Sequence, residues 1–178
     1  LTRSAAPWFE RIHPDDRAAV RDSLLASARK LSPWQQEFRT PQADGSERWR
    51  LPFIPDPGQP GAESWKNPEA LKTGGGSMWT PITLDAAAGI LYVAVGNPAP
   101  DFYGDARLGD NLYTNSLLAV DVHSGKMLWY HQAVPHDVRD WDLTHAGPLF
   151  STTVAGKKRN VIVASGKDGL LRLIDRDT

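Results

Sequence analysis

The period at which apolar residues recur changes along the chain, and those changes divide it. Between His13 and Leu31 ("HPDDRAAVRDSLLASARKL") Val20, Leu24, Ala28 and Leu31 fall at helical spacing, which predicts a helix with one apolar face. Pro14 suits its first turn, Asp15 and Asp16 sit at the positive end of its dipole, and Pro33 stops it. "WQQEFRT" then switches to period two, setting Trp34, Gln36 and Phe38 against Gln35, Glu37 and Arg39. Asp44-Gly45 is a turn before "ERWRLPF", so residues 1–50 read helix, strand, turn, strand. Across residues 52–76 the spacing of Pro and Gly denies any regular element and predicts a linker or a long ordered loop. After Ser77 the apolar runs are short and rich in β-branched and aromatic residues: "ILYVAVG", "SLLAVDVHSGKMLWYHQ", "NVIVASGKDG" and "LLRLID". Gly, Asp and Asn bound them, which predicts strands and no further helix.

These strands carry a weak internal repeat. "LDAAAGILYVAVG" and "VDVHSGKMLWYHQ" share an apolar residue, an aspartate, a turn, a glycine and a second apolar run, and "LIDRDT" opens a third copy. In the unit formed by Ala119, Asp121, Ser124, Gly125 and Trp129, the aspartate and serine suit turn amides and the tryptophan suits a seam between sheets. Such a repeat predicts a β-propeller or a β-sandwich, and composition alone leaves both open.

Composition narrows the partners. The 178 residues are 40% hydrophobic with a formal net charge of -1, which gives no electrostatic reason to expect nucleic acid or an anionic membrane. No apolar run approaches the roughly 20 residues of a membrane span. Cysteine is absent, so neither disulfides nor thiolate chemistry enter. The chain starts at Leu1 with no signal peptide and ends on a strand and turn signal, so the expectation is a fragment of a longer protein.

Four words resemble a known family in order and spacing. "GGGSMWTPITLD", "GNPAPDFYGDARLGDNLYTNSLLAVD", "AVDVHSGKMLW" and "VPHDVRDWDL" are similar to quinoprotein alcohol dehydrogenases, eight-bladed β-propeller enzymes that use pyrroloquinoline quinone (PQQ) and calcium. The resemblance covers about residues 50–178 and implies a mainly β fold, a few blades of such a propeller, making roughly a quarter of the enzyme. Residues 1–50 resemble instead the C-terminal half of a PAS sensor domain, through "WFERIHPDDRAAVRDSLLASARKL" and "EFRTPQADGSERW". The expected domains are therefore a PAS-like helix–strand–strand segment over 1–50 and a partial PQQ-dehydrogenase propeller over 51–178, although "DGSERWRLPF" suits either parent.

The resemblance assigns residues that have blander readings of their own. Asn97 in "GNPAP" is an ordinary turn residue, or, by resemblance, a calcium ligand through its amide oxygen. Trp79 is a core aromatic, or the floor under the quinone ring, with the preceding glycines letting the backbone approach closely. Lys167 in "ASGKDG" is an exposed turn lysine, or the cation that bonds the quinone oxygens. "VPHDVRDWDLTH" crowds Asp137, Asp140 and Asp142 into one stretch and by itself reads as a solvated loop. The resemblance makes Asp140 the general base, close to calcium and so also a metal-site residue. Arg139 replaces the family's usual aromatic residue, and a cation there would favour the charged form of Asp140. Asp137 and Asp142 read as turn-formers or supporting groups, and His136 as orienting a neighbour. Asp110 and Asn111 read as structural, holding the loop after Asn97 against the site.

The function implied is oxidation of a primary alcohol, or a sugar or polyol, by hydride transfer to the quinone, with electrons leaving to a cytochrome or quinone acceptor. The parent enzyme would be periplasmic. The family's calcium-binding glutamate has no counterpart in this chain, so the isolated chain is expected to be inactive. A PAS-linked sensory or binding protein with a non-catalytic β-repeat region is the alternative.

Overall fold

In the first unit, Leu1–Arg50, Pro14 opens a turn of 3-10 helix, Pro14–Asp16, that runs directly into α1, Arg17–Lys30. Arg17 ties down the start by donating from Nε to the Ile12 carbonyl at 2.9 Å. Val20 is fully buried and Leu24 half-buried, as the helical spacing predicts for that part of the face. This computed structural model describes Glu10, residues 12–30, residues 51–72 and residues 74–177. The strand predicted over Trp34–Arg39, the Asp44-Gly45 turn and most of the next strand lie outside them; Leu51–Phe53, the described end of "ERWRLPF", is irregular. Pro52 lacks the N–H that a ladder would need.

The second unit is Leu51–Thr178. Its proline-rich opening is an ordered loop, and it holds more structure than its composition predicts, with 3-10 turns at Ala62–Ser64 and Pro68–Lys72. Side chains pin it down. Trp65 is buried and donates from its indole to the Leu112 carbonyl, the Leu112 N–H donates to Ser64 Oγ at 2.8 Å, and Tyr113 Oη donates to the Pro60 carbonyl at 3.0 Å.

Among the described residues, seven strands follow in two antiparallel sheets. The first has the order β1 (Thr83–Asp85), β2 (Ile90–Ala94), β3 (Ser116–Asp121), β4 (Met127–Gln132). The second has the order β5 (Leu143–Val154), β6 (Lys157–Gly166), β7 (Leu171–Asp175). β2 and β3 are buried on both faces, which is why they read as nearly continuous apolar runs. Period two still sorts their side chains. Tyr92, Ala94, Leu117 and Ala119 join Leu143, Ala146, Ile162 and Ala164 of the second sheet in one core, while Val93, Val95, Leu118 and Val120 pack with Tyr113 in another.

The repeat unit behaves as its residues require. Asp121 Oδ1 accepts from the N–H groups of His123 (3.1 Å) and Ser124 (2.7 Å) and from Ser124 Oγ (2.7 Å). Gly125 takes φ 69°, and Trp129 packs against the core shared by the two sheets, its ring 5.8 Å from that of Tyr92. The sequence announced neither the three-residue β1 nor β5, the longest of the seven. Gly147-Pro148 interrupts its pattern, and its pairing with β6 shifts register between Ala146 and Leu149. An edge strand absorbs such a proline as a bulge.

Candidate functional site

The strand directions gather several loops at one end of both sheets. The segment before β1 and the one after β2 emerge side by side because those strands are antiparallel, and so do the segments before β5 and after β6. The first pair carries Trp79 and Asn97; the second carries Asp140, Asp142 and Lys167.

Lys167 is the centre of the cluster. Its ammonium lies 2.9 Å from Asp140 Oδ2, 2.7 Å from Asp142 Oδ2 and 6.0 Å from the centre of the Trp79 ring. The hydrogen bond to Asp142, followed by that to Asp140, pushes the Lys167 ammonium well above the ordinary lysine range. Trp79 is 58% exposed, so its indole is not a core aromatic. Gly96 lies against it: a Cβ added at Gly96 would come 3.4 Å from Trp79 Nε1 and 2.5 Å from Asp142 Oδ1.

Asn97 joins through its backbone. Its N–H donates to Asp142 Oδ1 at 2.7 Å, while its side-chain Nδ2 donates to Asp101 Oδ1 at 2.9 Å and to the Pro98 carbonyl at 3.3 Å. That orientation commits the amide nitrogen and leaves the side-chain oxygen as an acceptor. The glycines of "GGGS" approach this same loop. Gly76 donates to the Asn97 carbonyl at 2.8 Å, Gly75 bridges to Pro98, and a Cβ at Gly75 would lie 2.4 Å from the Ala99 nitrogen. Their small size therefore serves the packing of backbone on backbone behind Trp79.

The loop that carries Asp140 is held from within. Asp137 is buried, and its carboxylate accepts from the Arg139 N–H (2.8 Å), the Trp141 N–H (2.6 Å) and Asn115 Nδ2 (2.9 Å). The amides on either side of Asp140 are thus both fixed, and Asp140 sits between them at φ 59°, a left-handed conformation that aspartate adopts more readily than most non-glycine residues. Beneath it the guanidinium of Arg107, fully buried, donates to the carbonyls of Pro100 (3.0 Å), Asp101 (3.0 Å) and Asp137 and to Asn111 Oδ1 (3.1 Å). Burial lowers Arg107 from its ordinary range, against the opposing pull of the Asp137 and Asp101 charges. Asn111 is completely buried and returns a bond to the Arg107 carbonyl at 2.7 Å, and His136 Nδ1 lies 2.8 Å from the Gly109 carbonyl. Sequence reasoning missed Arg107 and read Asp137 and Asp142 as turn-formers or supporting groups. Nothing in "GDARLGDN" marks an arginine that will be buried, whereas the aspartate touching the first residue of an apolar strand, Asp142-Leu143, was a usable signal.

The expected electrostatic role of Arg139 is corrected. Its guanidinium lies over the Trp141 ring, 4.6 Å from the centroid, and the cation bonded to Asp140 is Lys167. For a hard cation, the oxygens at hand are Asn97 Oδ1 and the Asp140 carboxylate, both of suitable chemistry. Among the described residues no group of three or more His, Cys, Asp or Glu gathers that could hold a metal. For a planar ring, the open Trp79 face with the Lys167 ammonium above its edge is a fitting cradle. A groove of about 540 Å³ elsewhere, lined by Trp129, His131, Arg172 and Asp175 of β4 and β7, shares none of these residues. No helix among the described residues is long and apolar enough to cross a membrane.

Residues 42–178 match the glucose/ethanol/alcohol dehydrogenase β-propeller family, and residues 1–51 match the PAS fold. The two matches overlap over residues 42–51, "QADGSERWRL", which takes in most of "DGSERWRLPF", the stretch whose parentage the sequence left open. A quinohemoprotein alcohol dehydrogenase of Comamonas testosteroni is 34% identical over 148 residues, covering 74% of this chain and 20% of that protein. The crystal structure of the Comamonas testosteroni quinohemoprotein alcohol dehydrogenase superposes with a TM-score of 0.64 at 35% identity, covering 78% of this chain and 23% of that one. A europium-containing methanol dehydrogenase gives a TM-score of 0.64 at 26% identity, covering 78% and 27%. The chain is therefore mainly β with quinoprotein-type propeller blades, and it spans about a fifth of the length of the curated relatives it matches.

Proposed function

Because the chain belongs to the glucose/ethanol/alcohol dehydrogenase β-propeller family, we propose that it is part of a periplasmic PQQ- and calcium-dependent dehydrogenase of primary alcohols, sugars or polyols. Residues 51–178 are its propeller portion and residues 1–50 a PAS-like segment. The observation that carries this reading is the Lys167 ammonium, 2.9 Å from Asp140 and 6.0 Å from the centre of the Trp79 ring. Three residues from separate loops, each expected on other grounds to serve one cofactor, meet at one place.

Each side chain has a task it is chemically fit for. Trp79 offers an open aromatic face on which a planar ring gains dispersion. Asn97 Oδ1 and the Asp140 carboxylate supply hard oxygens for calcium, with the remaining ligands coming from beyond this chain. When bound, the quinone is the hydride acceptor and calcium its Lewis acid. Asp140 receives the proton of the substrate hydroxyl on its carboxylate. Lys167, held beside that carboxylate, supplies fixed positive charge where negative charge develops on the acceptor, and a preorganised cation does this without reorganisation. The electron acceptor of the parent enzyme would be a cytochrome or quinone.

The test is titration of the chain with PQQ and calcium, followed by quenching of tryptophan fluorescence. Saturable binding that Trp79→Ala weakens about tenfold supports the reading, and absence of saturable binding sinks it. The chain alone is expected to show no alcohol-dependent dye reduction. The PAS-fold match over residues 1–51 favours a second reading, a sensory protein with a non-catalytic β-repeat. Reading the flanking coding sequence separates the two: further blades upstream or downstream mark the enzyme, signalling modules the sensor.

A further inference from the structure

We infer that Asp142 is the positioning residue of this site, one buried carboxylate that sets the Asn97 loop and the Lys167 side chain at a fixed spacing. The inference rests on the roles given to Asn97 and Lys167 above. Asp142 is only 4% exposed, and a carboxylate so placed persists when donors replace its lost hydration. Its donors come from both sides of the site. Oδ1 accepts the Asn97 N–H at 2.7 Å, from the loop after β2, and Oδ2 accepts the Lys167 ammonium at 2.7 Å, from the loop after β6. The Asp142 carbonyl also accepts the Lys167 N–H at 3.0 Å, so both the backbone and the side chain of Lys167 are referenced to this one residue.

The consequence for Lys167 is a shared allegiance. Its ammonium is divided between Asp142, which is buried, and Asp140, whose side chain is 36% exposed. Without the inner carboxylate the flexible lysine has only the outer, part-exposed one, and it follows Asp140 toward solvent. Asp142 thus keeps Lys167 over the Trp79 ring, 6.0 Å from its centre. Gly96 completes the device, because a Cβ there would lie 2.5 Å from Asp142 Oδ1. Gly96 does not occupy the left-handed region, so alanine is conformationally acceptable and displaces the carboxylate without removing its charge.

Two variants and two readouts test this. In Asp142→Asn the amide must turn a donor toward either the Asn97 N–H or the Lys167 ammonium, and in Gly96→Ala the carboxylate is pushed aside. In both, the ¹³C-relaxation order parameter of Lys167 Cε should fall to the level of the exposed Lys157 and Lys158 of the same chain, while theirs stay unchanged. PQQ affinity, measured without added metal, should drop about tenfold in Asp142→Asn but less than about twofold when Lys167→Met is already present, since the effect travels through Lys167. An unchanged order parameter in both variants overturns the inference, as does a full affinity loss that persists beside Lys167→Met. If Asp142→Asn does not fold, Gly96→Ala decides. If the unsubstituted chain binds no PQQ yet Lys167 is released in both variants, the positioning role is upheld and the quinone reading falls.

Discussion

Two aspartate-bearing segments of this chain look alike in sequence and do opposite things. In "DVHSG", the Asp121 carboxylate takes its hydrogen bonds from within three residues, on Ser124 and His123, and it closes an exposed turn. In "VPHDVRDWD", Asp137 bonds Asn115, Asp140 bonds Lys167, and Asp142 bonds both Asn97 and Lys167. A carboxylate satisfied by its own turn needs nothing from the rest of the fold. One satisfied by distant elements exists only because the fold delivers them, and that dependence is what a site requires.

The comparison is most exposed to failure at Asp137. Asp137→Ala strands the Asn115 amide and the N–H groups of Arg139 and Trp141 and leaves the buried Arg107 guanidinium without its nearest anion, beside an Asn115 Oδ1 that already has no partner. A buried network broken on one side should cost about 3–4 kcal/mol of unfolding free energy, read from urea titration. A loss under about 1 kcal/mol would mean that Asp137 is a local turn-former like Asp121 and that the contrast is false.

How much of this was legible follows from the same distinction. Spacing along the chain announced α1, β2, β3, β4, β6 and β7, because each is specified by its own residues. It failed at β5, where Gly147-Pro148 is tolerated only because β6 lies alongside, and in the proline-rich stretch, which Leu112 and Tyr113 hold in place from far along the sequence. The site divides in the same way. Trp79, Asn97, Asp140 and Lys167 stand in recognisable words. Arg107 and Asp137 are buried by partners that no local pattern names, so Arg107 escaped notice and Asp137 stayed between turn-former and supporting group, whereas Asp142, beside Leu143 at the start of an apolar strand, had a local signal.

Trp79 sharpens the contrast from the other direction. It is exposed where a structural residue would be covered, so Trp79→Ala should change unfolding free energy by no more than about 0.5 kcal/mol. The same substitution should weaken PQQ binding about tenfold, the scale of one lost aromatic stack. If stability falls and PQQ affinity does not, Trp79 belongs with the packing residues. Arg139 gives a smaller effect. Its guanidinium over Trp141 is an exposed cation–π contact, so Arg139→Ala should cost about 0.5 kcal/mol, and Arg139→Trp, which restores the family's aromatic residue, should cost no more. A larger loss would make Arg139 part of the loop's frame.

The weakest effect, in Asp121→Ala, separates a local carboxylate from a remote one through pH. The Ser124 hydroxyl, followed by the Ser124 and His123 amides, holds Asp121 below the ordinary aspartate value of 3.8. A carboxylate whose folded pKa is depressed adds stability that is fully present above its unfolded value and is lost as pH falls through the folded one. The gap in melting temperature between the unsubstituted chain and Asp121→Ala should therefore hold constant from pH 7 to about pH 4 and close below it. Asp85, Asp168 and Asp175 are depressed too, by their own hydrogen bonds and arginine partners, but they titrate in both proteins and cancel from the difference. A gap of the same size at pH 3 as at pH 7 would show that the turn is held by the shape of the side chain and not by its charge, and the two aspartate segments would then differ in more than the distance to their partners.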